Sequence, residues 1–554
     1  MDLDHVSDKL NELKQNENVA GSLPVPGVVS PQPYVIKITP PLPPLSQKIR
    51  DEFSFFGLSG IIYAVFFSFC LYKNISGITA PLFTLGTLVY FFLCLNKLEI
   101  RLNKDCIFYG ASVMLLGINL CTTDDMFIIF FDYMGIILIL LSGLLSLFYK
   151  DNNWGLPEYL KAIFMTVFGS LEKVDRLFTD MKIWRKNRPK NAEKSHKTRY
   201  ILYGVLIGLP ISVIVLFLLS SADLVFGHLF ERIFNFDSLF YIFYGKYIIL
   251  DLFYIALLTI AIYMLSYGLI IYLSSHSIKL IGGSEKKGEP LIAITVNAML
   301  ALIYIIFSVI QILYLFVGKM TLPEHYTYAE YARQGFFQLL LVCIINMVLV
   351  LICLYKFKEN KVLKALLTVI SGCTYIMIAS SVLRMYMYVK AYDLTYLRVL
   401  VLWTLGLLSF LMGGIILYIF KAKFPLFKYS MVVVTVLYLA LAYAHPDYLI
   451  ASCNLDENHI SGNVDYRYLR GRSSDALPAV VAAIERENSD DFAVNFEGYF
   501  DHIKSRYDDL NVFSRMFFIT GLGNSDKTSI RGFNFSRYRA GRYLEDWDIF
   551  RSLH

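Results

Sequence analysis

The side chains able to do chemistry in this sequence are ionisable groups set inside or beside long apolar runs. Asp132 and Asp251 stand within such runs, and Asp223 follows Ser220-Ser221-Ala222 at the end of one. Glu330 and Arg333 open another, one helical turn apart, and Arg384, Asp393 and Arg398 punctuate RMYMYVKAYDLTYLR. A charge in hydrocarbon is costly, so such residues are functional candidates by default. Asp132 and Asp251 suit a proton or cation path, or else a buried hydrogen-bonded acid that serves structure alone. The other six suit a polar vestibule whose acids and arginines pair with one another or hold an anionic headgroup. Structural pairing competes with ligand contact for Arg384 and Arg398, and Asp223 also fits a helix cap. Asn346, at midspan, reads as an interhelical hydrogen bond.

Soluble-enzyme signatures fail one by one. There is no HExxH, GxxxxGK[ST], strand-linked GxGxxG or GxSxG, and GLGNSDKT at Gly521 to Thr528 lacks the ending of a phosphate loop. The nine histidines show no metal-ligand spacing, and no cofactor or metal is implied. Nothing nominates a nucleophile, so the reading leans away from an enzyme. Thr327-Tyr328-Ala329-Glu330 fits a capping box, which gives Glu330 a local role. Gln334 and Gln338 extend a polar stripe below Arg333.

The elements that position these residues must be membrane helices. A chain of 554 residues that is 56% hydrophobic, 16% aromatic and 17% charged, with mean hydropathy +0.53, is too apolar for an ordinary soluble globule. About eleven runs are long enough to span. They lie near Ser54 to Tyr72, Ile78 to Leu95, Cys106 to Cys121, Met126 to Tyr149, Ile201 to Ser220, Tyr247 to Ser274, Leu291 to Val317, Phe336 to Tyr355, Ala365 to Leu383, Val399 to Phe420 and Tyr429 to Ala444. The expected fold class is all-α, a polytopic transmembrane helical bundle with a small, mainly helical extracytoplasmic C-terminal domain.

Lys and Arg collect in alternate connections, among them Lys97 to Lys104, Lys182 to Arg199, Lys356 to Lys364 and Lys421 to Lys428. The positive-inside rule makes that side cytoplasmic. The reading is therefore a multi-pass protein of the plasma membrane with its amino terminus inside and its last hundred residues outside. No cleavable signal peptide is expected, since Met1 to Arg50 has no early apolar core. Seven of the eight cysteines fall in or beside apolar runs and only Cys453 lies in the tail, which excludes a disulfide framework there.

Five regions follow. Residues 1–53 form a flexible Pro-rich cytoplasmic arm, with TPPLPPL at Thr39 to Leu45 favouring polyproline II. Residues 54–149 hold the first four spans. In 150–200, Leu156, Leu160, Phe164, Val167, Leu171, Val174 and Phe178 recur at helical spacing, so an amphipathic helix lies on the inner leaflet before a basic run that favours anionic lipid. Nucleic acid is the competing partner for that run, and retention of positive charge inside already accounts for it. Residues 201–444 carry spans five to eleven, with an aromatic-rich interfacial segment after the fifth. In 445–554, Ser474 caps a helix carrying Leu477, Val480, Val481 and Ile484, and a second helix carries Phe496, Tyr499, Phe500, Ile503 and Tyr507. Membrane lipids are the expected partners.

Five blocks in order carry a resemblance to a known family: LLSSADLVF, YAEYARQGFFQLL, RMYMYVKAYDLTYLRV, YLRGRSSDALPAV and RGFNFSRYRA. They resemble the bacterial domain-of-unknown-function family numbered 4173, related to the family numbered 4153, over roughly Ile201 to Ala540. The sequence departs from the family pattern at Asp393, where the pattern has glycine, which brings a glycine-dependent turn there into question. The resemblance implies a bacterial integral membrane protein and no activity. The leading functional expectation is transport or handling of a solute or envelope lipid through the outward vestibule. A non-catalytic sensor or scaffold, joining the outer domain to the basic inner loop, is the alternative, and a membrane-embedded transferase is a weaker third.

Overall fold

The structure is a computed structural model of the full chain and describes residues 43–72, 74–149, 154–187, 246–275, 288–313, 336–456, 464–505 and 533–553. Among them the regular structure is helical, with one isolated parallel bridge between Gly288 and Phe357. Nine of the described helices are long and apolar enough to cross a membrane, and the protein is a polytopic helical bundle.

Among the described residues the membrane helices fall into two sub-bundles. The first contains Phe53–Leu71, Thr79–Lys97, Asp105–Asn119, Met126–Phe148 and Lys246–Ser275, packed through Phe56, Tyr267, Leu116 and Leu145. The second contains Pro290–Gln311, Phe336–Lys356, Lys361–Tyr392 and Tyr396–Phe420 around Val350, Leu367, Ile370 and Leu405. Leu426–Tyr443 lies between them. Its Tyr443 hydroxyl donates to Leu115 O at 2.7 Å, its Lys428 pairs with Asp105 at 2.6 Å, and its Phe427 stacks on Tyr159.

Hydrocarbon offers no water to polar groups, and many of the hydroxyls inside these helices bond within the chain. Thr87, Ser142, Ser371, Thr374 and Ser381 each donate to the carbonyl four residues earlier. Asn346 donates across to Thr374 of the neighbouring helix at 3.0 Å.

Several boundaries differ from the sequence reading, for physical reasons. The third run forms Asp105–Asn119, fifteen residues, about 22 Å at helical rise against a core of about 30 Å. The ninth is much longer than Ala365 to Leu383: Lys361–Tyr392 has 32 residues and takes in Arg384 and Lys390, because RMYMYVKAY contains no helix breaker. It stops at Asp393, whose φ of 63° and ψ of 175° lie where glycine is favoured. The turn is thus made without glycine. Arg398 holds it by donating to the carbonyls of Tyr392 and Asp393, its guanidinium 4.0 Å from the Tyr388 ring. Part of the expected arm is also helical: Pro44–Asp51 buries Ile49 against the first sub-bundle.

The amphipathic segment is two helices, Leu156–Glu172 and Arg176–Asn187. The first packs a face of small residues, Ala162, Thr166, Gly169 and Ser170, on Lys246–Ser275 and leaves Leu160, Phe164, Phe168 and Leu171 exposed. A Cβ on Gly268 would come 2.6 Å from Ser170 O, a backbone atom, whereas one on Gly372 would meet nothing within 4 Å. Gly268→Val therefore lowers the melting temperature of the purified protein, by the equivalent of about 1–3 kcal/mol. Gly372→Ala leaves it unchanged or slightly raised.

Candidate functional site

Among the described residues, a dense set of buried charges sits where the C-terminal helices, referred to below as the C-terminal domain, meet one end of the bundle. The loop Leu120-Cys121-Thr122-Thr123-Asp124-Asp125 joins two helices of the first sub-bundle, and Asp125 caps the second by accepting from Phe127 N at 2.8 Å. Its other oxygen accepts from the Tyr396 hydroxyl at 2.6 Å. Thr123 Oγ accepts from Asp125 N at 3.1 Å and donates to Asp475 at 2.5 Å. Asp475 also accepts from Asp124 N at 3.2 Å and from Ser536, and His445 Nδ1 stands 3.5 Å away.

The last helix, Phe535–Leu553, is drawn onto the same loop. Arg537 Nε donates to Asp124 at 2.8 Å and its Nη2 to Ser76 Oγ at 2.7 Å. Ser474 Oγ donates to the same Asp124 carboxylate at 3.2 Å. Asn534 Nδ2 donates to Thr123 O at 2.9 Å. Two backbone bonds reinforce the contact, Phe535 N to Cys121 O at 2.8 Å and Ile78 N to Phe533 O at 2.7 Å.

On the second sub-bundle's side, Asn454 bonds both the N and the O of Leu394, at 2.8 and 2.9 Å. The Tyr468 hydroxyl accepts from Tyr396 N at 2.7 Å. Asp447 accepts from Ser473 N at 2.8 Å and faces Arg472 Nη1 at 3.6 Å. The domain's own core of Leu477, Val480, Phe496, Tyr499 and Phe500 extends onto Leu394, Tyr396 and Val399.

Four carboxylates, Asp124, Asp125, Asp447 and Asp475, are buried in this seam with His445, Arg472 and Arg537 beside them. Their electrostatics diverge. Burial pushes Asp125 up to about 6, with Asp447 and Asp475 adding to the rise against the bonds from Tyr396 and Phe127 N. Burial also acts on Asp475, but His445, Ser536 and Thr123 outweigh it and hold that acid below the usual carboxylate range. His445 has φ 47° directly before Pro446, a left-handed backbone that costs a non-glycine residue about 1–3 kcal/mol. Among the described residues no three His, Cys, Asp or Glu side chains are grouped to hold a metal.

Of the residues expected in a vestibule, Asp223, Glu330 and Arg333 lie outside the described residues. So do the 201–220 run, the aromatic segment up to 245, the stripe residue Gln334, the basic run beyond 187, the arm before 43, Gly521 to Thr528 and Tyr507. Arg384 is buried with Nη2 3.4 Å from Gln311 Oε1, an oxygen that also accepts from Ser380 at 2.7 Å. Asp393 and Arg398 are brought together by the turn described above. Asp132 accepts from Asn119 at 2.8 Å and from Tyr438 at 2.9 Å. Asp251 falls on the Lys246–Ser275 helix, and its side chain is outside the described set.

Ser474 does not cap the Leu477–Glu487 helix. A short 3-10 turn, Ser474–Ala476, precedes that helix, Ala476 holds the N-cap position, and the Ser474 hydroxyl goes to the seam. Sequence reasoning misses Asp124, Asp125, His445, Asp447, Arg472, Asp475 and Arg537. One signal is present: two adjacent acids in a very short connection between apolar runs, where a solvated turn has no need of two.

A model of the family described as Domain of unknown function (DUF4153) matches residues 110–483. It is the relative of the family that the sequence blocks resemble. No curated protein and no solved structure matches. The matched segment holds every acid of the seam, while Ser536 and Arg537 lie beyond it.

The opposed acids set a pH dependence. Asp125, raised from 3.8 to about 6, opposes the folded arrangement of the seam when ionised, by on the order of 2–3 kcal/mol at neutral pH. The seam therefore tightens as pH falls from 7 through 6. Asp475, held low, contributes in the opposite sense: its stabilisation is present above the usual carboxylate range and is lost as pH falls below it. Amide exchange at 123–125 and 473–476, corrected for intrinsic rate, is slowest between about pH 4 and 6. Asp125→Asn flattens the upper limb alone.

Proposed function

We propose, from the premise that this chain belongs to the DUF4153 family of domains of unknown function, that it is a membrane sensor or scaffold whose C-terminal domain is read by the bundle. The observation that carries this reading is the seam: buried acids at short distances from donors of both sub-bundles and of the C-terminal domain. A scaffold calls for a closed bundle with polar groups satisfied in place, and Asp132, bonded by Asn119 and Tyr438, fits that demand. The basic connections at the opposite end, including Lys97 to Lys104 and Lys421 to Lys428, support a plasma-membrane orientation with that end cytoplasmic and the C-terminal domain outside.

Transport or handling of a solute or envelope lipid is the second reading. It rests on one observation, a buried Arg384 beside Gln311 in the second sub-bundle, with Asp223, Glu330, Arg333, Asp393 and Arg398 as the further vestibule residues.

The two readings part on complementation of a deletion strain, with membrane abundance measured for each variant. A sensor or scaffold tolerates Asp132→Asn at normal abundance and fails with Asp475→Asn. Should Asp475→Asn also lower abundance, Ser536→Ala, a milder loss of the same bond, takes its place. Failure of Asp132→Asn at normal abundance, with both seam variants complementing, would overturn the reading in favour of transport. Orientation has its own check: a reporter fused at His554 reads outside, and a cytoplasmic signal reverses the assignment.

A further inference from the structure

The seam leaves unused a groove at the opposite end of the first sub-bundle. Thr79–Lys97, Asp105–Asn119 and Met126–Phe148 border an open groove lined by Leu88, Phe92, Leu102, Gly110, Val113 and Leu144 among others. Its walls are almost wholly apolar, as ligand sites for apolar molecules are. Gly110 faces this open space, since a Cβ there would meet nothing within 4 Å.

The groove continues into a polar mouth. A second space shares Phe92, Leu95 and Leu102 with it and adds Asn96, Glu99 and Arg101. The acids around this mouth are already matched, Glu99 by Lys48 at 2.8 Å and Glu52 by Lys97. Arg101 and Lys104 are exposed, and neither forms an ion pair among the described residues. Glu99 has φ 62°, so the chain turns sharply just before it presents these two bases.

An apolar slot that ends at the exposed Arg101, with the exposed Lys104 three residues further along the same connection, is complementary to one class of molecule, a lipid with an anionic head. We propose that this groove is a binding site for an anionic glycerophospholipid, one acyl chain lying between the three helices and the phosphate against Arg101 and Lys104. Bases at a membrane surface add attraction for anionic lipid individually. The apolar slot adds selection for a chain in a defined place, which a diffuse basic surface lacks.

Native mass spectrometry of the full chain, released from nanodiscs of equal phosphatidylglycerol and phosphatidylcholine, tests the site. One phosphatidylglycerol is retained in preference to phosphatidylcholine by on the order of tenfold. Arg101→Ala with Lys104→Ala, both exposed side chains, abolishes that preference and leaves the melting temperature unchanged. Gly110→Leu fills the groove and reduces retention of both lipids. If Gly110→Leu lowers the melting temperature, the double charge variant decides alone. Equal retention of the two lipids by the wild type, or an unchanged preference in the double variant, would overturn the proposal.

Discussion

A carboxylate withdrawn from water must be met by donors or give up its charge. Asp475 is met by three segments that are far apart in the chain: Thr123 with the backbone of Asp124, Ser536, and His445. The first belongs to a loop of the first sub-bundle, the second to the last helix, and the third to the end of the helix between the sub-bundles. Removing any one leaves a buried acid short of a partner. The solvation demand of this one group therefore adds direction to the apolar contact with Leu394, Tyr396 and Val399, which is non-directional by itself.

The same demand organises the membrane interior on a smaller scale. Asp132 has Asn119 and Tyr438, Asn346 has Thr374, and Gln311 has Ser380 and Arg384. Each set includes a bond between helices, so polar residues in the spans fix which helices are neighbours and in what rotation, something that lipid-like packing leaves loosely specified. Tyr438 matters here because its helix lies between the two sub-bundles.

The fold is legible in the sequence because its signals are additive along the chain: apolar runs of spanning length and base-rich connections survive errors at individual residues. Helix ends are less so. Asp105–Asn119 falls short of a full span and Lys361–Tyr392 extends beyond Leu383, since hydropathy marks where lipid suits the chain and not where hydrogen bonding stops. The seam is hidden for a different reason. Asp124, Asp447 and Asp475 sit in three separate polar stretches, and each reads as a solvated turn residue until tertiary structure buries it. Asp132 stands out because its neighbours in sequence are apolar. Burial imposed by sequence-distant neighbours leaves no such trace at Asp447 or Asp475, and at Asp124 only the second acid beside it in a short connection.

Where the seam lies gives it leverage. Thr123 to Asp125 and Ser76 border helices of the first sub-bundle, Tyr396 begins a helix of the second, and His445 follows the helix that joins them. A change in how the C-terminal domain sits must therefore alter the spacing between the two halves or break bonds to one of them. Asp125 touches Tyr396 directly across that division, and burial disfavours its charge. Under the sensor reading, protonation of this one group weakens repulsion from Asp447 and Asp475 while keeping the capping bond from Phe127 N. The two halves are then drawn together without any change in the fold of either, which is the kind of small, bistable adjustment that a packed bundle can transmit.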